Sequence, residues 1–285
     1  MKIGLSTYSL IRAIRAGELD LLSALSWIQE NGGEHAEIAY SLLETPALAK
    51  DVRKKAGDLG LPLSSYTIGA NFIQPDPASL RKEIERVKRE VDIGGELGVK
   101  RMRHDAASRP IPECGMGQFM KDLPVVADAA REVCDHAKKY GITTSVENHG
   151  FFLQKSDRVQ LLIAAVGRET FRTTLDVGNF LCADEDPVSA VKSNLPFASH
   201  IHFKDFLVRR MPADPGEVFF KTLGGHFLRG TIVGHGDVDV RSAAKLIRES
   251  GYAGFVSVEF EGMEECRNGS RISMANLKAL LGGVP

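Results

Sequence analysis

The sequence predicts a single (β/α)8 TIM barrel of the α/β class, with residues 1–285 forming one domain. Short apolar runs alternate with longer amphipathic segments from one end of the chain to the other, and the alternation gives the eight strand–helix units that a closed parallel barrel requires. No low-complexity linker or change of composition divides the chain. A length of 285 residues is also within the range in which α/β barrels form one domain.

The predicted strands are rich in Val, Ile, Thr, Phe and Leu. Several are apolar throughout, which is typical of parallel strands that are covered on both faces. In chain order, they cover residues 2–8, 35–40, 61–68, 99–104, 142–148, 171–176, 198–205 and 254–261.

Amphipathic helices are predicted between these strands. The first, over residues 19–31, places apolar side chains at spacings of three and four and is followed by Gly32-Gly33, a helix-ending signal. Pro124 is expected in the first turn of its helix. The other predicted helices cover residues 45–59, 78–97, 123–139, 156–166, 186–194, 240–250 and 264–281.

A doubly wound open sheet is the alternative fold. That fold usually has a Gly-rich phosphate-binding turn after its first strand, whereas this chain has Ser6-Thr7-Tyr8-Ser9 at that place. The pattern therefore favours the closed barrel.

One connection, residues 206–236 after the seventh predicted strand, is unusually long and contains several Pro and Gly residues. Loops of this length inside compact domains usually have a function. Because it follows a strand of the barrel, we expect it to lie over the active-site mouth as a lid or a substrate-binding segment. A disordered or merely decorative loop is the alternative.

Composition gives no reason to expect a nucleic-acid or membrane partner. Lys and Arg number 36 against 37 Asp and Glu, and the formal charge is −1. The four cysteines form no CxxC pair, and neither a secretory signal nor a bilayer-spanning segment is evident. We expect a cytoplasmic protein that acts on a small molecule, and its exposed helices are compatible with a homo-oligomer.

Four predicted strands of the second half carry, at or near their ends, a group that binds metal ions. These groups are Glu147, Asp176, His202 and Glu259. Because parallel strands end at the same mouth of a barrel, the four side chains are expected to converge. Three converging buried carboxylates repel each other unless a cation lies between them. Four unrelated salt bridges are the alternative, but the sequence favours a metal site.

The predicted ligand set is rich in oxygen, with three carboxylates and one imidazole. Such a set suits Mn²⁺, Mg²⁺ or Co²⁺ better than a metal ion that prefers thiolate ligands. It is also compatible with Zn²⁺. The sequence does not distinguish these ions.

The same motifs carry a resemblance to a known family. The segments are Glu147-Asn-His149, Asp176-Val-Gly-Asn179, Ile201-His202-Phe-Lys204-Asp205, Gly234-His-Gly236 and Ser257-Val-Glu259. In their order and strand placement they resemble the xylose isomerase-like barrel superfamily of sugar isomerases and epimerases. The resemblance covers nearly the whole chain, and it is specific for the superfamily rather than for one activity.

The resemblance implies individual roles. In the ketose 3-epimerases of this superfamily, two glutamates bind the metal and move protons on opposite faces of the substrate, and Glu147 and Glu259 match them. Asp176 and His202 match the other two ligands. Those epimerases carry a substrate-binding histidine where this chain has Asn179. Asparagine still hydrogen-bonds a hydroxyl, but the difference weakens the case for ketose-epimerase specificity.

The expected chemistry begins with removal of a proton next to a carbonyl group. Metal coordination of the carbonyl oxygen stabilises the enolate as it forms, and a glutamate takes the proton. Reprotonation from the other face gives epimerisation, reprotonation at the next carbon gives isomerisation, and loss of a β-hydroxyl gives dehydration. The sequence therefore predicts an isomerase or epimerase of a sugar or cyclitol. The alternative is a lyase or dehydratase of a keto-inositol, a dehydroshikimate-like acid or a 3-keto sugar.

Two other functions are disfavoured by the sequence. The superfamily also includes abasic-site endonucleases, but their three-zinc cluster needs more histidines, Asn179 replaces one of them, and the net charge of −1 gives no phosphate-binding footprint. A carbohydrate-binding barrel without chemistry is disfavoured by the intact set of four ligands.

Further polar residues near the predicted strand ends are candidates for substrate binding. His149 is a candidate for protonating a leaving hydroxyl, and Lys204 for binding an oxyanion. The alternative for His149 is a loop histidine without a catalytic role, and the alternative for Lys204 is a lysine paired with a structural neighbour. His104 at the end of the fourth strand and His235 in the long connection are also candidates, as is Asn179. The candidates for the pocket wall are Tyr8, Tyr66 and Asn71.

Overall fold

The computed structural model describes residues 1–43, 45, 47–212 and 214–282. Within this part of the chain, parallel strands close a barrel in the order β1-β11-β7-β6-β5-β4-β3-β2, which confirms the predicted fold class. Each barrel strand overlaps a predicted one. With all strands numbered in chain order, they are β1 (Lys2–Ser6), β2 (Ala36–Ala39), β3 (Leu63–Ile68), β4 (Arg101–His104), β5 (Thr143–Glu147), β6 (Phe171–Asp176), β7 (Ala198–Phe203) and β11 (Phe255–Val258).

Helices surround the barrel and bury their apolar faces against it. Several begin at an aspartate whose side chain accepts a hydrogen bond from the N–H of a serine three residues later, which is a favourable N-cap. They are α1 (Ile11–Arg15), α2 (Leu21–Glu30), α3 (Leu48–Asp58), α4 (Pro77–Leu97), α5 (Met116–Ala137), α6 (Ser156–Val166), α7 (Pro187–Asn194), α8 (Val240–Glu249) and α9 (Cys266–Gly282).

Helix α5 begins earlier than predicted. The predicted start near residue 123 was wrong, because Pro124 lies inside the helix rather than in its first turn. The preceding turns bury Phe119, whose ring lies 5.8 Å from that of Phe152. This burial offsets the backbone hydrogen bond that a proline removes from a helix.

The long connection after β7 contains strands that were not predicted from the sequence. The strands β8 (Asp205–Arg209), β9 (Phe220–Lys221) and β10 (Phe227–Thr231) form an antiparallel sheet in the order β8-β10-β9. Each is too short, and too widely separated from the next, to give a clear two-residue periodicity.

Asp205 fixes the end of this connection to the barrel. One carboxylate oxygen accepts hydrogen bonds from the N–H groups of Gly234 and Gly236, at 2.8 and 2.9 Å. The other accepts from Phe206 and Val238, at 2.8 and 3.2 Å. A single buried carboxylate therefore determines where the segment leaves and rejoins the barrel.

The cysteines, Cys114, Cys134, Cys182 and Cys266, are buried free thiols. No helix in the described part of the chain is long and apolar enough to span a bilayer.

Candidate active site

The four predicted metal ligands lie together at the carboxyl ends of the second-half strands. Glu147 and Asp176 end β5 and β6, His202 lies on β7, and Glu259 directly follows β11. All four side chains are buried, and one ligand atom from each lies within 4.8 Å of the others. The structure therefore brings together groups from four separate parts of the sequence.

Asn148 holds the ends of β5 and β6 in register. Its Oδ1 accepts a hydrogen bond from the N–H of Asp176, and its Nδ2 donates to the carbonyl oxygen of the same residue, both at 2.9 Å. These two bonds place the Asp176 side chain next to Glu147.

The turn after β6 orients the Asp176 carboxylate. Its Oδ1 accepts hydrogen bonds from the N–H groups of Gly178 and Asn179, both at 2.8 Å. Residue 178 must be glycine, because a Cβ there would collide with the main-chain oxygen of Lys204. With Oδ1 occupied in this way, Oδ2 is left to face the cluster.

Two observations indicate that the cluster fits a divalent cation. Asp176 Oδ2 and His202 Nδ1 are buried without a hydrogen-bond partner among the described residues. Burial raises the pKa of Asp176 to about 7; the Lys204 ammonium, 3.8 Å away, opposes this shift, and the carboxylates of Glu147 and Glu259 add to it. A buried carboxylate oxygen without a hydrogen-bond partner, next to two further carboxylates, is typical of a cation site.

Glu37 on β2 supports His202 from across the barrel and was missed in the sequence. Its Oε2 lies 2.7 Å from His202 Nε2, and its Oε1 accepts a hydrogen bond from Thr67 at 2.8 Å. Burial disfavours both charges, but their attraction lowers the pKa of Glu37 and raises that of His202 well above its usual value. The contact leaves His202 Nδ1 facing the ligand cluster, as in a carboxylate–histidine–metal arrangement.

Arg103 on β4 is the second residue that was missed. Its Nε lies 2.7 Å from Glu147 Oε2, and another guanidinium nitrogen lies 2.9 Å from Asp105. The sequence prediction chose its neighbour His104. Successive strand residues face opposite sides, and His104 is buried outside the chamber with its Nδ1 2.8 Å from the main-chain oxygen of Asp105.

Other predicted residues surround the ligands. Lys204 Nζ lies 2.7 Å from Glu259 and 3.3 Å from Glu261, and Asn179 donates a hydrogen bond to Glu147 Oε1 at 2.9 Å. Burial opposes the charge of Lys204, but these carboxylates raise its pKa well above the usual value, so Lys204 is an ammonium.

His149 is half exposed at the edge of the same site, and its Nδ1 lies 3.2 Å from Asp105 Oδ1. Burial lowers the pKa of an imidazole, but the Asp105 carboxylate outweighs this effect and raises the pKa of His149. His149 therefore lies at the edge of the chamber with its ring oriented by Asp105.

Not every candidate lies at the site. His235 is exposed and does not line the chamber. The Tyr66 hydroxyl donates to Glu90 on α4, on the helix side of the barrel, and the Asn71 side chain accepts from main-chain groups of a nearby loop. Tyr8, in contrast, lines the chamber.

Two of the metal-ligand candidates, Glu147 and Glu259, line an inner chamber of about 200 Å³. Most of the residues that line it are polar, and a small polyhydroxy molecule would find carboxylate, guanidinium, ammonium and hydroxyl groups within it. Among the lining residues are Tyr8, Thr67, Arg103, Glu147, Lys204 and Glu259.

Comparison with known proteins identifies the class. The model of the family described as "Xylose isomerase-like TIM barrel" matches residues 25–280, and the chain belongs to this family. The family that the sequence motifs resemble is thereby confirmed.

Individual relatives are more distant. An inosose dehydratase from Lactiplantibacillus plantarum is 28% identical over 154 residues, which are 50% of this chain and 51% of that protein. The chain thus spans about half the length of the curated relatives that it matches. In fold, it is similar to 3-keto-D-glucoside 4-epimerase from E. coli, with a TM-score of 0.73, 18% identity and coverage of 98% and 99% of the two chains. It is also similar to the IOLI protein, solved with a zinc atom, with a TM-score of 0.75, 15% identity and coverage of 99% and 98%.

Proposed function

We propose that this protein is a divalent-metal-dependent isomerase or epimerase that removes a proton next to the carbonyl group of a sugar or cyclitol. The observation that carries this proposal is the convergence of Glu147, Asp176, His202 and Glu259. Two of them, Glu147 and Glu259, line the inner chamber. Relatives named for inosose and 3-keto-glucoside chemistry support the choice of substrate class.

The four residues are proposed to hold Mn²⁺, Mg²⁺ or Co²⁺, which prefer a set of mostly oxygen ligands. Zn²⁺ is a further candidate, supported by the zinc atom in the IOLI protein. When bound, such an ion supplies a Lewis acid for a substrate carbonyl and lowers the barrier to enolate formation.

The two glutamates are proposed to move the proton. Burial raises the pKa of Glu147, but Arg103 and His202 outweigh it and hold that pKa well below its usual value. Glu147 is thus a carboxylate that can act as a base. Glu259 directly follows β11, and the Lys204 ammonium lies 2.7 Å from its carboxylate. One glutamate removes the proton, and the other, after taking a proton from solvent, donates that proton to the opposite face of the enolate. Lys204 donates a hydrogen bond to the developing oxyanion.

Incubation in D₂O tests the proposal. The protein with Mn²⁺ is mixed with 2-keto-myo-inositol, D-fructose and methyl 3-keto-β-D-glucoside, and each mixture is followed by NMR. Deuterium in an isomer with the same formula is the expected result. Absence of both deuterium incorporation and water loss from all three compounds would contradict it.

Dehydration is the second candidate, and the placement of His149 favours it. His149 lines the chamber next to Glu147 and is positioned to protonate a departing β-hydroxyl. The curated relative named inosose dehydratase supports the same outcome.

A substitution separates the two candidates. If the enzyme is a dehydratase, His149→Asn lowers the rate of water loss by about 10²-fold, the lower range for an acid–base group, while deuterium exchange continues. Both rates are measured by NMR in the same mixture. Unchanged water loss in this variant would exclude His149 as the acid.

A further inference from the structure

A second, outer chamber of about 450 Å³ adjoins the inner one. His149, Lys204 and Glu261 line both chambers, so one molecule can occupy the two spaces at once. The inner chamber alone is smaller than the range of roughly 300–1,000 Å³ that is usual for small-molecule sites, whereas the two together fall within it. The volumes therefore indicate a ligand larger than the part that the inner chamber holds.

The two linings differ in chemistry. The inner chamber is bounded by carboxylates and cations. The outer one is lined by polar side chains, Lys221 among them, and also by four large apolar side chains. These are Ile111, Phe151, Phe206 and Phe220. At its rim, Ile111 is 44% exposed and Phe220 is 40% exposed. Large apolar side chains that face a cavity and remain open to water are typical of a binding surface.

One wall of the outer chamber is made by a strained turn. Phe151 has a φ of 61°, a left-handed conformation that is unfavourable for a bulky side chain. The buried Gln154 holds it there, because its Oε1 accepts from the N–H of Phe151 at 2.6 Å. Its Nε2 donates to the main-chain oxygens of Asn148 and Asn179 at the strand ends. A strained residue that is fixed to the catalytic strand ends indicates a functional position.

The small antiparallel sheet makes the opposite wall. Phe206 on β8 is buried, and its ring lies 5.8 Å from that of Phe220 on β9 in an edge-to-face arrangement. The long connection after β7 thus supplies two aromatic rings to the mouth of the barrel, beside the ammonium group of Lys221. Aromatic rings pack well against such a surface, edge-on or offset.

From these features we propose that the substrate has two parts. A polyhydroxy ring with the reacting carbonyl occupies the inner chamber, and an aromatic group attached to that ring, as in an aryl glycoside, occupies the outer chamber. The nature of the inner part rests on the proposed function, but the aromatic outer part rests on the lining of the second chamber.

Binding of two glycosides tests the outer chamber. Methyl β-D-glucoside and phenyl β-D-glucoside lack the carbonyl and are not turned over, so calorimetry on the Mn²⁺-saturated protein measures their affinities alone. Burial of a phenyl ring predicts tighter binding of the phenyl compound by about tenfold or more. Equal affinities, including no binding of either compound, would overturn the proposal.

Two neighbouring phenylalanines give a matched pair of variants. Phe220→Ala is expected to reduce the preference for the phenyl compound to about twofold or less, because it removes part of the aromatic wall. Phe219→Ala is expected to keep the preference, because Phe219 packs under Arg229 and is not part of the chamber lining. The same preference in both variants would overturn the assignment to this wall, and thermal unfolding verifies that both are folded.

Failure of this proposal is distinguishable from failure of the proposed function. A phenyl preference without deuterium exchange into any keto-sugar would remove the enolisation chemistry and retain the aromatic site. Deuterium exchange into small keto-sugars without a preference for the phenyl compound would retain the enolisation chemistry and remove the aromatic site.

Discussion

The two halves of the barrel contribute different things to the candidate site. Strands β5, β6, β7 and β11 carry or adjoin the four metal-ligand candidates, whereas β2 and β4 carry groups that hold those candidates in place. Glu37 reaches across the barrel to His202, and Arg103 reaches Glu147 on the neighbouring strand, each at 2.7 Å.

The comparison teaches that a ligand set is only part of such a site. The second half supplies negative charge and an imidazole, and the first half determines which atom of that imidazole faces the cluster and which carboxylate oxygen is occupied. Outer contacts of this kind orient metal ligands and tune their basicity.

The largest effect is expected in the second half. Glu259→Gln keeps the size of the side chain but removes its ability to accept a proton, so deuterium exchange at saturating Mn²⁺ should fall by about 10³-fold. NMR in D₂O measures the rate with the fastest of the three keto compounds. Glu249→Gln on α8, whose carboxylate is exposed, is the control and should retain the wild-type rate. Equal rates in the two variants would contradict the assignment of proton transfer to the second half of the barrel.

The next largest effect is expected in the first half, where a buried histidine makes the stability of the fold depend on pH. His35 is buried ahead of β2, and burial lowers its pKa to about 4, whereas the buried His202 has a raised pKa. Between pH 6.5 and 4 the unfolded chain binds a proton at residue 35 that the folded chain does not, so stability falls as the pH is lowered. The His35 contribution to this loss is about 2 kcal/mol of unfolding free energy between pH 7 and pH 5.

Urea unfolding at these two pH values checks this difference. His35→Gln should reduce the loss of stability on acidification by about that amount, because the titrating group is absent. His235→Gln is the control, since His235 is exposed. If the two variants lose stability equally between pH 7 and pH 5, the neutral state of His35 in the barrel is contradicted.

The smallest effect, a change in Mn²⁺ affinity, tests whether the charge of Glu37 supports the metal site. Glu37→Gln leaves an amide oxygen that can still accept a hydrogen bond from His202 but removes the charge, so Mn²⁺ affinity should fall by about tenfold. Calorimetric titration with Mn²⁺ measures it. Glu30→Gln on α2, which is exposed, should bind Mn²⁺ as the wild type does. A wild-type affinity in the Glu37 variant would mean that β2 has only a packing role.

The second half was predictable because its signals are local. A carboxylate or imidazole at the end of an apolar strand stands out against Val, Ile and Leu, and barrel geometry then brings such ends to one mouth. The same reasoning predicted Lys204 and Asn179, which lie next to the ligands.

The first half was harder to predict. Glu37 is one charged residue inside a short strand, and nothing local shows that its partner lies on β7. At the end of β4, Arg103 and His104 are both polar, so only the exact register decides which side chain faces the chamber. His235 was misplaced for another reason, because the path of its loop depends on the four hydrogen bonds to Asp205.

Titration of the protein with Mn²⁺, followed by electron paramagnetic resonance, tests the central claim most directly. We predict one tightly bound ion per chain in the wild type and a loss of affinity of at least about 100-fold in Asp176→Asn, because the amide removes a charged ligand. Asp184→Asn, outside the four-ligand cluster, should bind as the wild type does. No stoichiometric Mn²⁺ binding, or equal binding by the wild type and Asp176→Asn, would contradict a cation held at this mouth of the barrel.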